Sequence, residues 1–188
     1  KYIPDLADQV SQELTPMVAT ARTIKLEHPN AKVVFIGPCA SKKLEASRRT
    51  VRSDVDFVIT FEELQAMFDA REIDLTEYEA DATGTGRGYA AAGGVANAIE
   101  KCVNEYYPDV EVKIEHAEGL AECKKMLTLA KIGKKNGCLI EGMGCPGGCI
   151  AGAGTNIPIQ KAQKELKDFV AHSSKMLPPK ELEEIELK

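Results

Sequence analysis

The chain has no tryptophan, and aromatic residues make up only 5% of it, so no stacking platform accompanies its dispersed lysines and arginines. Its 24 basic residues are outnumbered by 29 acidic ones, and the resulting charge of −5 argues against nonspecific nucleic-acid binding. No apolar run is long enough to span a bilayer, and no signal-peptide pattern is present. No two cysteines are separated by two residues. Ferredoxin-like runs, zinc ribbons and thioredoxin-type redox pairs are therefore unsupported. Six cysteines in 188 residues fall short of disulfide-scaffold density. Without a secretory signal they point to a reducing cytoplasm. His28, His116 and His172 sit in helical or strand-like segments with no motif around them, so surface or capping roles are expected of them rather than a catalytic Cys–His pair.

What remains reads as a soluble α/β chain with an ordinary 44% of hydrophobic residues, enough for one sizeable core or two small lobes. Apolar periodicity predicts a helix from Leu6 to about Leu26, interrupted or kinked at Pro16. Strands are predicted at Val33–Ile36, Phe57–Thr60, Val110–His116 and Cys138–Glu141, the third of them half-exposed or at an edge. Helices are predicted at Glu62–Ala70 with Thr60 as cap, from Gly94 or Val95 to Tyr106, at Leu120–Ile132 and at Pro158–Ser174. Thr83–Gly88 reads as a glycine-rich loop, too poor in context to be a nucleotide fingerprint. The alternation predicts a layered α/β fold with a largely parallel sheet flanked by helices. Residues 1–176 would form the domain, and 177–188 an acidic tail or linker after Pro178-Pro179.

Two loops stand out. One reads Gly37-Pro38-Cys39-Ala40-Ser41-Lys42-Lys43-Leu44-Glu45, and the other Glu141-Gly142-Met143-Gly144-Cys145-Pro146-Gly147-Gly148-Cys149. Each follows an apolar strand, where open α/β sheets place their ligands. Soft thiolates among glycines suit an iron–sulfur cluster or zinc better than magnesium or calcium. Cys145 and Cys149 are four apart, a spacing at which one helical turn puts both sulfurs on one face. Lys42 and Lys43 near a helix start favour an anion beside Cys39. A buried thiol is the ordinary fate of cysteine, and it is the reading for Cys102, Cys123 and Cys138 on their apolar elements. The glycine-rich surroundings of Cys145 and Cys149 cannot build such a core. Cys39, Cys145 and Cys149 are therefore the candidate ligands.

These loops resemble the second and third signature motifs of the iron-only hydrogenase large subunit, in its C-terminal catalytic domain. Pro38, Cys39, Lys42 and Glu45 match the second motif, with Gly37 in place of a methionine. Glu141, Met143, Cys145, Gly148, Cys149, Gly152 and Gly154 match the third, with Gly144, Ala153 and Thr155-Asn156 departing from it. Asp56-Phe57-Val58-Ile59-Thr60 with Glu63-Leu64, and Gly93-Gly94-Val95, are also similar to the family.

The resemblance implies part of the iron-only hydrogenase fold and its H-cluster, a 4Fe–4S cubane joined by one thiolate to a di-iron unit carrying carbonyl and cyanide. It implies that Cys39 and Cys145 ligate the cubane, that Cys149 bridges to the di-iron unit, that Lys42 holds a cyanide and that Met143 lines the di-iron pocket. The implied reaction interconverts H2 with protons and electrons, exchanged with an electron-transfer iron–sulfur protein or domain. The first family motif, which brings the fourth ligand and a relay cysteine, is absent. The chain is expected to be a fragment whose fourth cysteine comes from an upstream segment before Lys1. Alone it should carry an incomplete cluster or none, and be inactive. Gly37 suggests a divergent, sensory branch. Two roles stay open: an enzyme, and a regulatory module sensing H2 or redox state. A zinc or structural-cluster protein is the third. No nucleic-acid or membrane partner is expected, and the setting is cytoplasmic.

Overall fold

The computed structural model describes residues 3–48, 53–76 and 81–181. Lys1, Tyr2 and the last seven residues of the expected tail lie outside the described residues. The described chain divides into two compact units, and each has its own small parallel sheet.

The first unit is built on Ser11–Thr76 with Gly152–Asn156. Pro16 opens a helix here instead of kinking one. Pro4–Gln9 is a separate 3-10 turn, and α1 runs Pro16–Glu27. A proline at the first helical position loses no bond, because that N–H has no intrahelical partner, and its φ is already helical. Met17, Val18 and Ala21 form the buried stripe of α1. They pack with Val55, and Leu14, Val33, Phe35, Ala46 and Val58 close around them. Full burial of a valine such as Val18 is worth about 1.5–3 kcal/mol.

Strand β1, Val34–Ile36, pairs in parallel with β2, Phe57–Ile59, so that Phe35 lies opposite Val58. Both contribute to the α1 core, as the two-residue period of a strand requires. Between the strands runs α2, Ser41–Ser47, and after β2 comes α3, Phe61–Asp69. Thr60 caps α3 in the expected way. Its hydroxyl accepts from Glu63 N–H at 3.2 Å, and Glu63 accepts from Thr60 N–H at 2.8 Å.

The second unit draws on Lys1–Val10, Glu77–Ala151 and Ile157–Glu181. The expected glycine loop is in fact a short helix, α4, Gly84–Gly88. Thr83 caps it, its hydroxyl accepting from Gly86 N–H at 3.2 Å, and Gly84 and Thr85 donate to the carbonyls of Lys175 and Met176. Those tertiary bonds offset the entropic cost of three glycines in one turn. A Cβ on Gly84 would lie 2.4 Å from Met176 Sδ, so the close approach itself selects glycine.

The remaining elements are α5, Gly94–Tyr106; β3, Lys113–Glu118; α6, Leu120–Lys131; β4, Cys138–Met143; and α7, Ile159–Ala171. β3 and β4 pair in parallel from Lys113 opposite Cys138 to Glu118 opposite Met143. The core of this unit is small: Ala96 and Ala98 of α5, Ala117 of β3 and Ala162 of α7. α5 packs on both strands, α6 lies against them, and α7 packs on α4. There the Arg87 guanidinium stands 3.9 Å from the centre of the Phe169 ring.

Mixed α/β architecture with parallel strands and flanking helices is thus as expected. The single largely parallel sheet is instead two sheets of two strands. Each closes one strand–helix–strand crossover, through α2 or through α6, which is the smallest unit that returns a strand parallel to its predecessor.

Candidate functional site

Both cysteine loops leave the carboxyl ends of strands. Cys39 is three residues beyond β1, and its carbonyl accepts from Lys42 N–H at 3.2 Å as α2 begins. Cys145 is two residues beyond β4. All six cysteines are half-buried, including Cys102, Cys123 and Cys138, which were expected in the core. Cys123 Sγ lies 3.5 Å from both the Ala117 and the Met143 carbonyls, an ordinary tethered thiol beneath the end of the sheet.

The 145–149 segment is not a helical turn. Gly148 N–H donates to Cys145 O at 3.0 Å, closing a β-turn with Pro146 and Gly147 at its centre. Gly147 has φ +89°, the geometry of a Pro-Gly type II turn. Cys149 then begins a short 3-10 turn, Cys149–Ala151. The spacing of four fits either conformation; the proline and the left-handed glycine decide between them.

Backbone bonds fix this turn. Ala92 N–H donates to Gly147 O and Ile150 N–H to Ala90 O, each at 3.2 Å, so the loop lies along residues 90–92. A Cβ on Gly148 would sit 2.4 Å from Ala92 N and 2.6 Å from Ala90 O, and φ is again +89°. Glycine is required at 148 for both reasons. Gly147 N–H also donates to the Glu118 carboxylate. Sequence reasoning missed Glu118, and the signal was in the register: it lies opposite Met143, at the strand end from which the loop departs.

Glu141 also has a defined task. Its carboxylate accepts from Gly93 N–H at 3.0 Å and Ala96 N–H at 2.7 Å, capping α5 from the neighbouring strand. Gly93, at φ +77°, takes the cap position without a capping side chain of its own. Glu141 and Gly93-Gly94-Val95 therefore belong to one structural device. Met143 ends β4 with its carbonyl bound by Gly119 N–H at 2.8 Å.

In the first unit, Lys42 Nζ is 2.6 Å from Glu45 Oε2, and Thr15 Oγ1 donates to Glu45 Oε1 at 2.5 Å. Burial pushes the Glu45 carboxyl upward, but the bonds from Lys42 and Thr15 and the charges of Lys42 and Arg48 outweigh it and hold the pKa below 4.5. Lys43 turns elsewhere, to Glu63 Oε1 at 2.5 Å. Adjacent lysines thus take separate carboxylates on separate elements.

Gly37 does not leave an empty space. A Cβ there would lie 2.9 Å from Cε1 of Phe35, whose ring covers the position. Gly152–Asn156 belongs to the same unit as the Cys39 loop. Gly154 N–H donates to Pro38 O at 2.9 Å, and Glu62 N–H to Gly154 O at 3.3 Å. A Cβ on Gly154 would meet Thr60 Cβ at 2.4 Å.

Among the described residues, no three His, Cys, Asp or Glu side chains are gathered as a site for a single metal ion. The donor set fits an iron–sulfur cluster in kind: half-buried thiols on glycine-bearing loops at strand ends. It supplies three such donors, where a cubane takes four.

The sequence profile of the iron-only hydrogenase large subunit, C-terminal domain, matches residues 1–153, and the chain belongs to that family. It is 28% identical to iron hydrogenase 1 of Clostridium pasteurianum over 199 residues, covering 81% of this chain and 35% of that protein. It is 36% identical over 78 residues to the cytosolic Fe–S cluster assembly factor NAR1 of Kluyveromyces lactis, covering 42% of this chain. The fold is that of the FeFe-hydrogenases. The apo form of a HydA1 variant from Chlamydomonas reinhardtii matches with a TM-score of 0.69 at 20% identity, over 94% of this chain and 64% of that one. The chain therefore spans about a third of the length of the curated hydrogenase and under two thirds of the structural neighbour.

Proposed function

We propose that this chain is the greater part of an H-cluster domain, and that Cys39, Cys145 and Cys149 hold a 4Fe–4S cubane and bridge it to a di-iron unit in the complete protein. The fourth thiolate would come from another segment of that protein. The observation that carries this reading is the placement of all three cysteines in loops that leave the carboxyl ends of parallel strands.

When bound, the cofactor would supply the iron chemistry that interconverts H2 with protons and electrons. The chain's own residues bind and orient. The thiolates of Cys39 and Cys145 would hold the cubane, and that of Cys149 would bridge to the second unit. Lys42 would present its ammonium group to a cyanide, and Glu45, held ionised, would fix where that ammonium stands. Met143 would line the di-iron pocket. Gly147 and Gly148 let the loop backbone lie flat against residues 90–92, which sets where the two sulfurs emerge. Electrons would be exchanged with an electron-transfer iron–sulfur protein or domain.

A sensory role is the second reading. Gly37 stands where the family carries a methionine, and the Phe35 ring lies 2.9 Å from where a Cβ would be, so the wall beside Cys39 would differ from that of the family. Infrared spectroscopy of the full-length, matured protein decides the first question. Carbonyl and cyanide bands are expected. Their absence, with a cubane present, would leave a cluster-holding protein without hydrogen chemistry. Turnover of H2 in the same sample separates enzyme from sensor.

A further inference from the structure

Thr15 stands immediately before Pro16 as the N-cap of α1, and its carbonyl accepts from Ala19 N–H at 2.9 Å as an N-cap carbonyl should. Its side chain does not do what a capping threonine does. No hydroxyl-to-backbone cap bond forms, although accepting from the second or third helical N–H is why threonine is favoured there. The hydroxyl instead donates to Glu45 Oε1 across 30 residues of sequence, while Glu45 Oε2 takes Lys42. Both carboxylate oxygens are thereby fixed, one by each partner. The bonds lie within one unit, between the start of α1 and α2, where Leu14, Val18 and Leu44 line the same groove as Thr15, Glu45, Glu13 and Arg48.

We propose that Thr15 is a positioning residue: through Glu45 it fixes the orientation of the Lys42 ammonium beside the cysteine-39 loop. The inference rests on the proposed cluster site only for what the ammonium faces; the Thr15–Glu45–Lys42 chain stands on its own geometry. Lys42 has several rotatable bonds and one carboxylate partner. A carboxylate pinned at its other oxygen presents that partner in one place. An unpinned one can rotate about its last torsion, which is broad. Charged groups around Glu45 are Lys42 and Arg48, with Glu13 on the groove wall. The downward shift of the Glu45 carboxyl has the Thr15 bond among its causes.

The test uses Thr15→Val, which keeps the shape and removes the donor, and Thr15→Ser, which keeps the donor. In the cluster-free chain, nuclear magnetic resonance follows the Glu45 carboxyl through its titration and the Lys42 ammonium through its exchange with water. Thr15→Val is expected to raise the Glu45 midpoint and speed Lys42 exchange, and Thr15→Ser to restore both. An unchanged midpoint in Thr15→Val, or a Thr15→Ser variant as perturbed as Thr15→Val, overturns the proposal. If Thr15→Val does not fold, Thr15→Ser still decides: lost Lys42 protection with the hydroxyl retained is fatal. In the full-length, matured protein, the infrared cyanide bands should shift in the same direction for Thr15→Val as for Lys42→Met. A wild-type protein that takes up no cluster refutes the proposed function and leaves the resonance measurement to judge Thr15.

Discussion

Asp56 shows how much one carboxylate can organise. It precedes β2 and accepts from Val33 N–H at 2.8 Å, from Lys25 at 3.0 Å and from Lys32 at 3.0 Å. The backbone bond to Val33 is the chief cause, with the two lysines, of a pKa far below the ordinary 3.8. The folded protein therefore keeps this group ionised to lower pH than the unfolded chain does. A depressed pKa of this kind contributes stability that is complete above the unfolded value and is lost as pH falls below it. Asp56→Asn should lower the urea midpoint at pH 7, and the gap from the parent should narrow as pH drops below about 4, where the unfolded carboxyl titrates. Urea midpoints measured from pH 7 down to pH 2 check this. A gap that stays constant across that range would mean that the ionised form contributes nothing special.

At the scale of elements, Glu141 makes β4 and α5 depend on each other. Removing its carboxylate leaves two N–H groups of a helix start without that partner, and a lost cap costs about 0.5–2 kcal/mol. Glu141→Ala should lower stability by about that amount. Glu141→Gln should lose less, since an amide oxygen still accepts but lacks the charge that suits a helix N-terminus. Chemical denaturation gives both values, and equal losses would argue that charge has no part. The sequence showed Glu141 as a motif residue but not its role, because the bond crosses 48 positions to Gly93 and no local pattern encodes that. Locally coded features were legible: Thr60 as a cap, the α5 and α6 boundaries, and the strands before both cysteine loops. Features set by tertiary contact were not. α4 forms because residues 175 and 176 bond across it, and the Cys145–Cys149 turn follows the proline and glycine between them rather than the spacing. Thr15 was hidden for the same reason. Pro16 reads as a break in a longer helix, and the sequence holds nothing to say that the hydroxyl before it bonds to Glu45.

At the scale of the whole molecule, the question is whether the six cysteines divide as the loops suggest. Cys39 and Cys145 lie just past strand ends, and Cys149 opens the 3-10 turn that follows, on segments whose backbones are pinned by neighbours. Cys102, Cys123 and Cys138 sit within α5, α6 and β4, where a helix or strand fixes the Cβ direction and packing covers each residue in part. A bulky anionic cluster needs sulfurs that emerge from loops, since only there can several chain segments converge without displacing a core. Single cysteine-to-serine variants of the full-length protein, reconstituted anaerobically with iron and sulfide, should therefore fall into two groups. Cys39→Ser, Cys145→Ser and Cys149→Ser should each lower bound iron and weaken the visible thiolate-to-iron absorption. Cys102→Ser, Cys123→Ser and Cys138→Ser should keep the wild-type iron content and lose at most some stability, with Cys123→Ser the most informative because its sulfur already touches the Met143 carbonyl. The 188-residue chain alone should bind less iron than the full-length protein, because it offers three loop thiolates to a cluster that takes four. A full four-iron complement on the isolated chain would require a fourth ligand from within it. Loss of iron in Cys123→Ser would then identify that ligand and overturn the division drawn here.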